Sequence, residues 1–446
     1  MTRTLSCVTT SLFLLAGCGL KVGELGDLTT TDGSTGATAS ASGASTGDAP
    51  STGDAPTTGA ASTTDSPDTD GGLAPAQGVD ILFIIDNSGS MAGHQQRIAS
   101  AIPALVGPLT AAGLDLRIAV TTTDSGNPRC PAAQYKPEAG AMQARSCRAA
   151  AAEGEWLFNG DDLSASCLEA CVHDSVAIAA TTTAADPVAK PRPWVEWSDG
   201  AGNIEVPLNE ALGCLLPQGV AGCGFESPLE SMFLALGRTQ EPGAPEFGFL
   251  RDDAHLLVVI VTDETDCSGN PAFTEIFTSN KVFWNVPDDV APTSAMCWRA
   301  GMACTGGPGT FDDCVATDHA SDGAATQDPA AAVLQPLARY QGVLSTILAG
   351  KLAAGSSATV RLTAVAGVPG GYPAVPLVFA DSVDPEVQES FGIGPGCQAG
   401  DAIAVPPGRI LDLAAQVNPV GPNLFSICDA SFDASLAAIA AALLEG

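Results

Sequence analysis

The sequence predicts an α/β fold: a doubly wound, mainly parallel sheet flanked by helices, with disulfide-rich loop insertions. Three observations predict it. Two nearly unbroken apolar runs, Val79-Asp80-Ile81-Leu82-Phe83-Ile84-Ile85 and His255-Leu256-Leu257-Val258-Val259-Ile260-Val261, have the length and β-branched content of strands buried on both faces. Strand-like and helix-like segments alternate between and after them, as βαβ units do. The cysteines cluster where that alternation lapses.

In chain order, residues 1–17 read as an export signal. Arg3 precedes an apolar stretch from Val8 to Ala16, which ends in Leu15-Ala16-Gly17-Cys18. A short positive region, an apolar core and small residues before the cut are the layout of a secretory signal peptide. A cysteine directly after Leu-Ala-Gly resembles the lipobox of bacterial lipoproteins, which implies that Cys18 becomes a lipidated first residue and anchors the chain in a membrane. Gly19 beside it implies export to the bacterial outer membrane, with periplasmic face or cell surface left open. An ordinary signal peptide with an incidental cysteine is the alternative. Residues 18–77 are Thr, Ser, Gly, Ala, Asp and Pro, with Ser45-Thr46-Gly47-Asp48-Ala49-Pro50 repeated at Ser51 to Pro56. Such a stretch has nothing to bury and is expected to be a disordered tether.

The globular part is expected over residues 78–446. Its first strand leads through a polar loop into a helix over roughly Ala92 to Ala112. Leu114 to Thr121 alternates apolar and polar residues and reads as a strand near or at the sheet edge. Residues 124–225 have poor periodicity and frequent cysteines, the pattern of an insertion, with Cys130–Cys147 and Cys214–Cys223 as pairs suggested by proximity alone. Trp194 and Trp197 fit the small core of that insertion. Ser227-Pro228 starts a helix, with proline directly after a serine cap. The second buried strand follows, and then a second insertion over residues 267–326 with Cys267, Cys297, Cys304 and Cys314. Leu334 to Ala353 reads as a helix and Ala358 to Ala366 as a strand. A loop-rich stretch with Cys397 and Cys428 precedes a last helix, Asp433 to Leu444, capped by Ser431.

Composition removes several function classes. Lys and Arg total 18 against 50 Asp and Glu, a net charge of −32, and 42 acids against 16 bases remain from Gly71 onward. Nucleic acid is therefore not an expected partner, because phosphate binding needs a basic face. Of 14 cysteines, twelve follow Cys18. An even number in an exported chain implies up to six disulfides, and no paired Cys-x-x-Cys knuckles argue for zinc. Cys167 and Cys171 are a lone pair at x₃ spacing and are assigned to bridges. An enzyme is not expected. The chain has no His-Glu-x-x-His, Gly-x-Ser-x-Gly or phosphate-cradling glycine loop. A hydrolase built on Ser88 would need a base and an oxyanion hole with no visible source. Of the four histidines, His94 fits a solvent-exposed first helical turn and His255 a structural place at a strand start.

The loop after the first strand, Asp86-Asn87-Ser88-Gly89-Ser90-Met91, holds one carboxylate and two hydroxyls at i, i+2 and i+4. That is a hard-oxygen set, suited to Mg²⁺, Mn²⁺ or Ca²⁺, beyond the carboxyl end of a strand where open α/β sheets bind ligands. A polar turn with Ser88 or Ser90 as helix cap is the plain alternative. The order strand, Asp-x-Ser-x-Ser, helix resembles the metal-ion-dependent adhesion site (MIDAS) of von Willebrand factor A (VWA) domains, a Rossmann-like fold. Val258-Val259-Ile260-Val261-Thr262-Asp263 is similar to that family's fourth strand. The resemblance implies that Ser88 and Ser90 bind a divalent cation directly, that Asp86 and Asp263 hold it mostly through water, and that an open coordination position takes a carboxylate from a protein or other acidic ligand. The family's threonine ligand is replaced by Gly222-Cys223-Gly224-Phe225-Glu226-Ser227-Pro228, in which Glu226 or Ser227 could substitute, or Ser227 could serve only as a cap. The family's Asp-Gly after the fourth strand is here Asp263-Glu264-Thr265-Asp266, whose extra acids are expected to decorate the surface. The Val-Thr-Asp-Glu and Gly-Cys-Gly-Phe-Glu phrases are similar to tethered VWA lipoproteins of myxobacteria, a similarity that implies no defined activity. The expectation is an adhesion or interaction module; the alternative is an envelope scaffold in which the metal only stabilises the loops.

Overall fold

The computed structural model describes residues 73–130, 136–279, 292–400, 402–418 and 421–445. The expected signal peptide, Cys18 and the tether up to residue 72 lie outside the described residues.

β1 (Gly78–Ile85) is buried along its whole length, as its unbroken apolar run requires. Its side chains alternate: Ile81, Phe83 and Ile85 enter one core, Leu82 and Ile84 the other. α1 (Ala92–Ala111) follows, burying Ile98, Ile102, Leu105 and Leu109 at helical spacing. β2 (Asp115–Thr122) pairs parallel with β1. The first insertion holds α2 (Cys147–Ala152), α3 (Ala165–Ala170), the short hairpin β3 (Val195–Ser198) and β4 (Ala201–Gly202), and α4 (Leu208–Leu215). α5 (Pro228–Arg238) and β5 (Ala254–Val261) return to the main pattern. The second insertion supplies α6 (Ala295–Gly301) and the hairpin β6 (Met302–Gly306) and β7 (Phe311–Ala316). The chain closes with α7 (Leu337–Ala353), β8 (Val360–Ala366), α8 (Gly408–Val417), β9 (Leu424–Ser426) and α9 (Asp433–Leu444).

The sheet has seven strands in the order β9-β8-β5-β1-β2-β3-β4. The first five are mutually parallel, and the β3–β4 hairpin runs antiparallel against β2. One face packs against α1, α4 and α9, the other against α5, α7 and α8. Helices thus cover both faces, as parallel strands need. Each fully buried Val, Leu or Ile contributes about 1.5–3 kcal/mol.

Several sequence expectations change. The expected pairs Cys130–Cys147 and Cys214–Cys223 do not form. The bridges are Cys130–Cys223, Cys147–Cys167, Cys171–Cys214, Cys267–Cys297, Cys304–Cys314 and Cys397–Cys428. Proximity in sequence failed because the insertion folds its helices against α1, so that Cys130 meets a partner 93 residues away. β2 is near the edge but not at it, since the insertion itself extends the sheet. Trp194, 1% exposed, packs edge-on to Phe249 at 5.6 Å in the main core rather than in a core of the insertion's own. The loop-rich stretch before α9 contains α8 and β9. Ser431 does not cap α9: its Oγ accepts from the Asp433 backbone N–H in a local turn, and Phe432 holds the cap position. The last tether residues join the fold, with Ala74 hydrogen-bonded to Gly355 and Ser357.

Asp80 interrupts the apolar run of β1 and is fully buried. Arg251 holds it through a backbone N–H to Oδ2 and Nε to Oδ1, both 2.7 Å. Removing one partner of a buried pair strands the other charge, at a cost of about 3–5 kcal/mol. Arg251→Met is therefore expected to lower unfolding stability by that amount in urea titration. A loss below 1 kcal/mol would mean that Asp80 is buried protonated and needs no partner.

Candidate functional site

Strand register builds the site. Ile85 of β1 aligns with Thr122 of β2 and Val261 of β5, so the three strands end level with one another. The next residues, Asp86, Thr123 and Thr262, therefore emerge side by side at the carboxyl edge. Asp86 N–H donates to the Val261 carbonyl at 2.9 Å and Thr123 N–H to the Ile85 carbonyl at 3.1 Å.

The Asp86 carboxylate is buried and held at both oxygens. Oδ1 accepts from the Ser88 N–H at 2.8 Å, and Oδ2 accepts from the Thr262 hydroxyl at 2.6 Å. The first bond curls the loop so that Ser88 Oγ and Ser90 Oγ lie 3.2 Å apart. Gln95, fully buried in α1, fixes the loop from below. Its Nε2 donates to the carbonyls of Asp86 at 2.9 Å and Gly219 at 2.7 Å. On the facing loop, Gly222 N–H donates to the Asn87 carbonyl at 2.8 Å. A Cβ at Gly222 would lie 2.2 Å from Asn87 Oδ1, so a larger residue there would force the Asn87 side chain to move.

Glu226 reaches the same place from the loop before α5, fully buried. One oxygen accepts from the Thr123 hydroxyl, and Oε1 has no hydrogen-bond partner. Asp263, 4% exposed, likewise leaves Oδ1 unpartnered. Buried carboxylate oxygens without partners are costly, and each asks for a missing ligand or proton. Charge sharpens the point. Burial pushes the Asp263 carboxyl up to about 7, and the neighbouring Asp86 adds to the shift. Burial, then Asp86 and Glu264, holds Glu226 well above the usual carboxylate range. Glu264, half-buried at the cavity floor, is raised well above its ordinary value by desolvation, Asp263 and Asp86. Asp86 is itself raised by burial, against hydrogen bonds with Thr262, Ser88 and Glu226.

The structure thus brings together five of the six expected metal-site residues: Asp86, Ser88, Ser90, Asp263 and Glu226. Ser227 does not join them. Its hydroxyl donates to the Cys267 carbonyl at 3.0 Å and makes no helix-cap bond. Of Glu226 and Ser227, Glu226 is the one placed beside Asp86. The residues sequence reasoning missed are Thr123, Thr262 and Gln95. The signal for the first was present, since Thr121-Thr122-Thr123 is an unusual hydroxyl run at a strand's end.

Two further expectations are corrected. Asp266 is no surface decoration. It is fully buried, accepts from Leu229 N–H and the Ser268 hydroxyl, and pairs with Arg409 at 3.3 Å. His94 is not exposed in the first turn of α1. It is 6% exposed, and burial with Arg97 alongside lowers its pKa to about 4.

A cavity of about 680 Å³ opens above the oxygens, with Ser88, Ser90, Asp263 and Glu264 on its floor. Among the described residues no group of three or more His, Cys, Asp and Glu side chains is arranged to hold a metal unaided. An ion here must draw on the serine hydroxyls, and oxygen donors of mixed charge suit a hard divalent cation. Among the described residues, no helix is long and apolar enough to cross a membrane. Compared with known protein families and with curated proteins, the chain matches none.

Proposed function

We propose that the protein is a lipid-anchored, exported VWA-like module that binds a divalent cation and, through it, a carboxylate-bearing ligand. Asp86-x-Ser88-x-Ser90 after β1, with Asp263 after the adjacent parallel strand, supports the MIDAS reading. The observation that carries it is a pair of buried, unpartnered carboxylate oxygens: Asp263 Oδ1, on the cavity floor with Ser88 and Ser90, and Glu226 Oε1, on a side chain next to Asp86. Ser88, Ser90 and Glu226 would hold the ion, with Asp86 and Asp263 balancing its charge. The ion would supply an electrophilic centre for an anionic oxygen from the ligand. Six disulfides fit an oxidising, exported setting.

The test is melting temperature with and without Mg²⁺ across pH 7 to 9. In the cation-free protein, acids raised in the folded state contribute stability that is lost as pH rises through their folded values. Asp263 titrates near 7, and Glu226 and Glu264 are also raised. His94 and His255, both lowered, are already neutral across this window. The cation-free protein is therefore expected to melt at lower temperature at pH 9 than at pH 7. Mg²⁺ at a hundredfold excess over its Kd adds about 2.7 kcal/mol and should flatten or reverse that slope. A melting temperature indifferent to Mg²⁺ at both pH values would contradict the reading.

A further inference from the structure

The cavity above the oxygens is walled by chain that the sheet does not need. One wall is a hairpin of the first insertion, in which Leu157 and Phe158 pair with Asp162 and Asp161. Both apolar side chains are exposed, Leu157 by 54% and Phe158 by 42%. They are not there to fill a core. The Phe158 ring lies directly on Gly89: a Cβ at that position would fall 2.1 Å from the ring. Glycine between the two serines therefore lets an aromatic wall stand against the oxygen loop. A second part of the lining carries Phe391, Ile403 and Val405. The Val405 N–H donates to the Asp263 carbonyl at 2.9 Å, tying this wall to the strand end that bears the acid. Disulfides Cys147–Cys167 and Cys171–Cys214 brace the first wall, and Cys397–Cys428 braces the second.

We infer that the cavity selects a small apolar monocarboxylic acid, its carboxylate directed at the Ser88–Ser90 floor and its apolar body between the Phe158 and Phe391 walls. This rests on the cation reading, which it deepens by naming the ligand class. Three observations carry it. The volume lies within the range of small-molecule sites, and apolar walls around a few convergent polar groups are their usual construction. Among the described residues that line the cavity, only Asp263 and Glu264, on its floor, are charged. The protein carries −32, so a ligand with further negative charges would be repelled wherever the bound cation does not face it. A single carboxylate on an apolar body is the anion that fits.

The experiment is calorimetric titration of the full-length chain, first with Mg²⁺ alone and then, saturated with Mg²⁺, with acetate, succinate and 6-phenylhexanoate. The expected order puts 6-phenylhexanoate about a hundredfold tighter than acetate, from burial of its methylenes and ring. Succinate should bind no tighter than acetate. Leu157→Ser, at a position 54% exposed, should weaken 6-phenylhexanoate about fivefold and leave acetate unchanged. If Mg²⁺ binds but all three acids bind alike, the cavity is not selective and this inference falls while the cation reading stands. Tighter binding of a short peptide with an internal aspartate than of 6-phenylhexanoate would also overturn it, replacing the free acid by a protein partner. If Mg²⁺ itself fails to bind, both fall together.

Discussion

Asp86→Asn is expected to abolish divalent-cation binding and, at the same time, to raise the melting temperature of the cation-free protein. The two effects have one cause. Asp86 sits among Asp263, Glu226 and Glu264, and its charge raises the pKa of all three. The amide keeps the shape of the carboxylate, and its oxygen still accepts the Ser88 N–H that curls the loop. What disappears is repulsion, on the order of 1 kcal/mol for neighbours in one buried network. A ΔΔG of that size raises the melting temperature of a domain this large by a few degrees. Calorimetric unfolding at pH 8, without and then with Mg²⁺, reads both effects. A variant less stable than the parent without cation would show that Asp86 is structural first.

Removing the Cys130–Cys223 bridge should produce the largest loss of stability among the six disulfides. It closes 93 residues, whereas Cys304–Cys314 closes ten. Loop-closure entropy gives roughly 4–5 kcal/mol for the first and roughly 2.7 kcal/mol for the second. The long bridge also ties the loop after β2 to the loop that carries Glu226, with Cys223 N–H donating to Asp124 Oδ2 at 3.3 Å. Paired Cys130→Ser and Cys223→Ser changes should therefore weaken cation binding as well, and paired changes at Cys304 and Cys314 should not. Urea midpoints and cation titrations of the two variants check this. Equal losses at both bridges would mean that residual structure, not loop length, sets the cost.

How much was legible depended on how local the determinant was. β1 and β5 were readable because a strand buried on both faces needs a continuous apolar run, and few other elements produce one. The Asp86-Ser88-Ser90 loop was readable because its oxygens are spaced within five residues of one another. Glu226 was named only as one of two options, because its place beside Asp86 depends on where α5 docks. Ser227 holds the N-cap position of α5, but its hydroxyl makes no cap bond and donates instead to the Cys267 carbonyl. Disulfide pairing was unreadable for the same reason: it follows the tertiary path of the insertion, not spacing. β9 is three residues long, pairs with β8 at the sheet edge and leaves no period to detect. Asp266 and His94 were assigned to the surface because charge and imidazole favour it, and each is buried beside an arginine, Asp266 paired with Arg409 and His94 next to Arg97.

On the proposed function, the carboxyl edge of β1 and β5 holds one divalent ion through Ser88, Ser90 and their acidic neighbours. The most direct measurement is titration of Mn²⁺ into the full-length chain at pH 7.5, followed by the electron paramagnetic resonance of the free ion, beside Asp86→Asn and a Ser88→Ala, Ser90→Ala double variant. Loss of free signal up to one equivalent is expected in the parent, and none of that tight phase in either variant. A stoichiometric phase that survives unchanged in both variants would place the ion elsewhere on the acidic surface and rule out a site at Ser88 and Ser90.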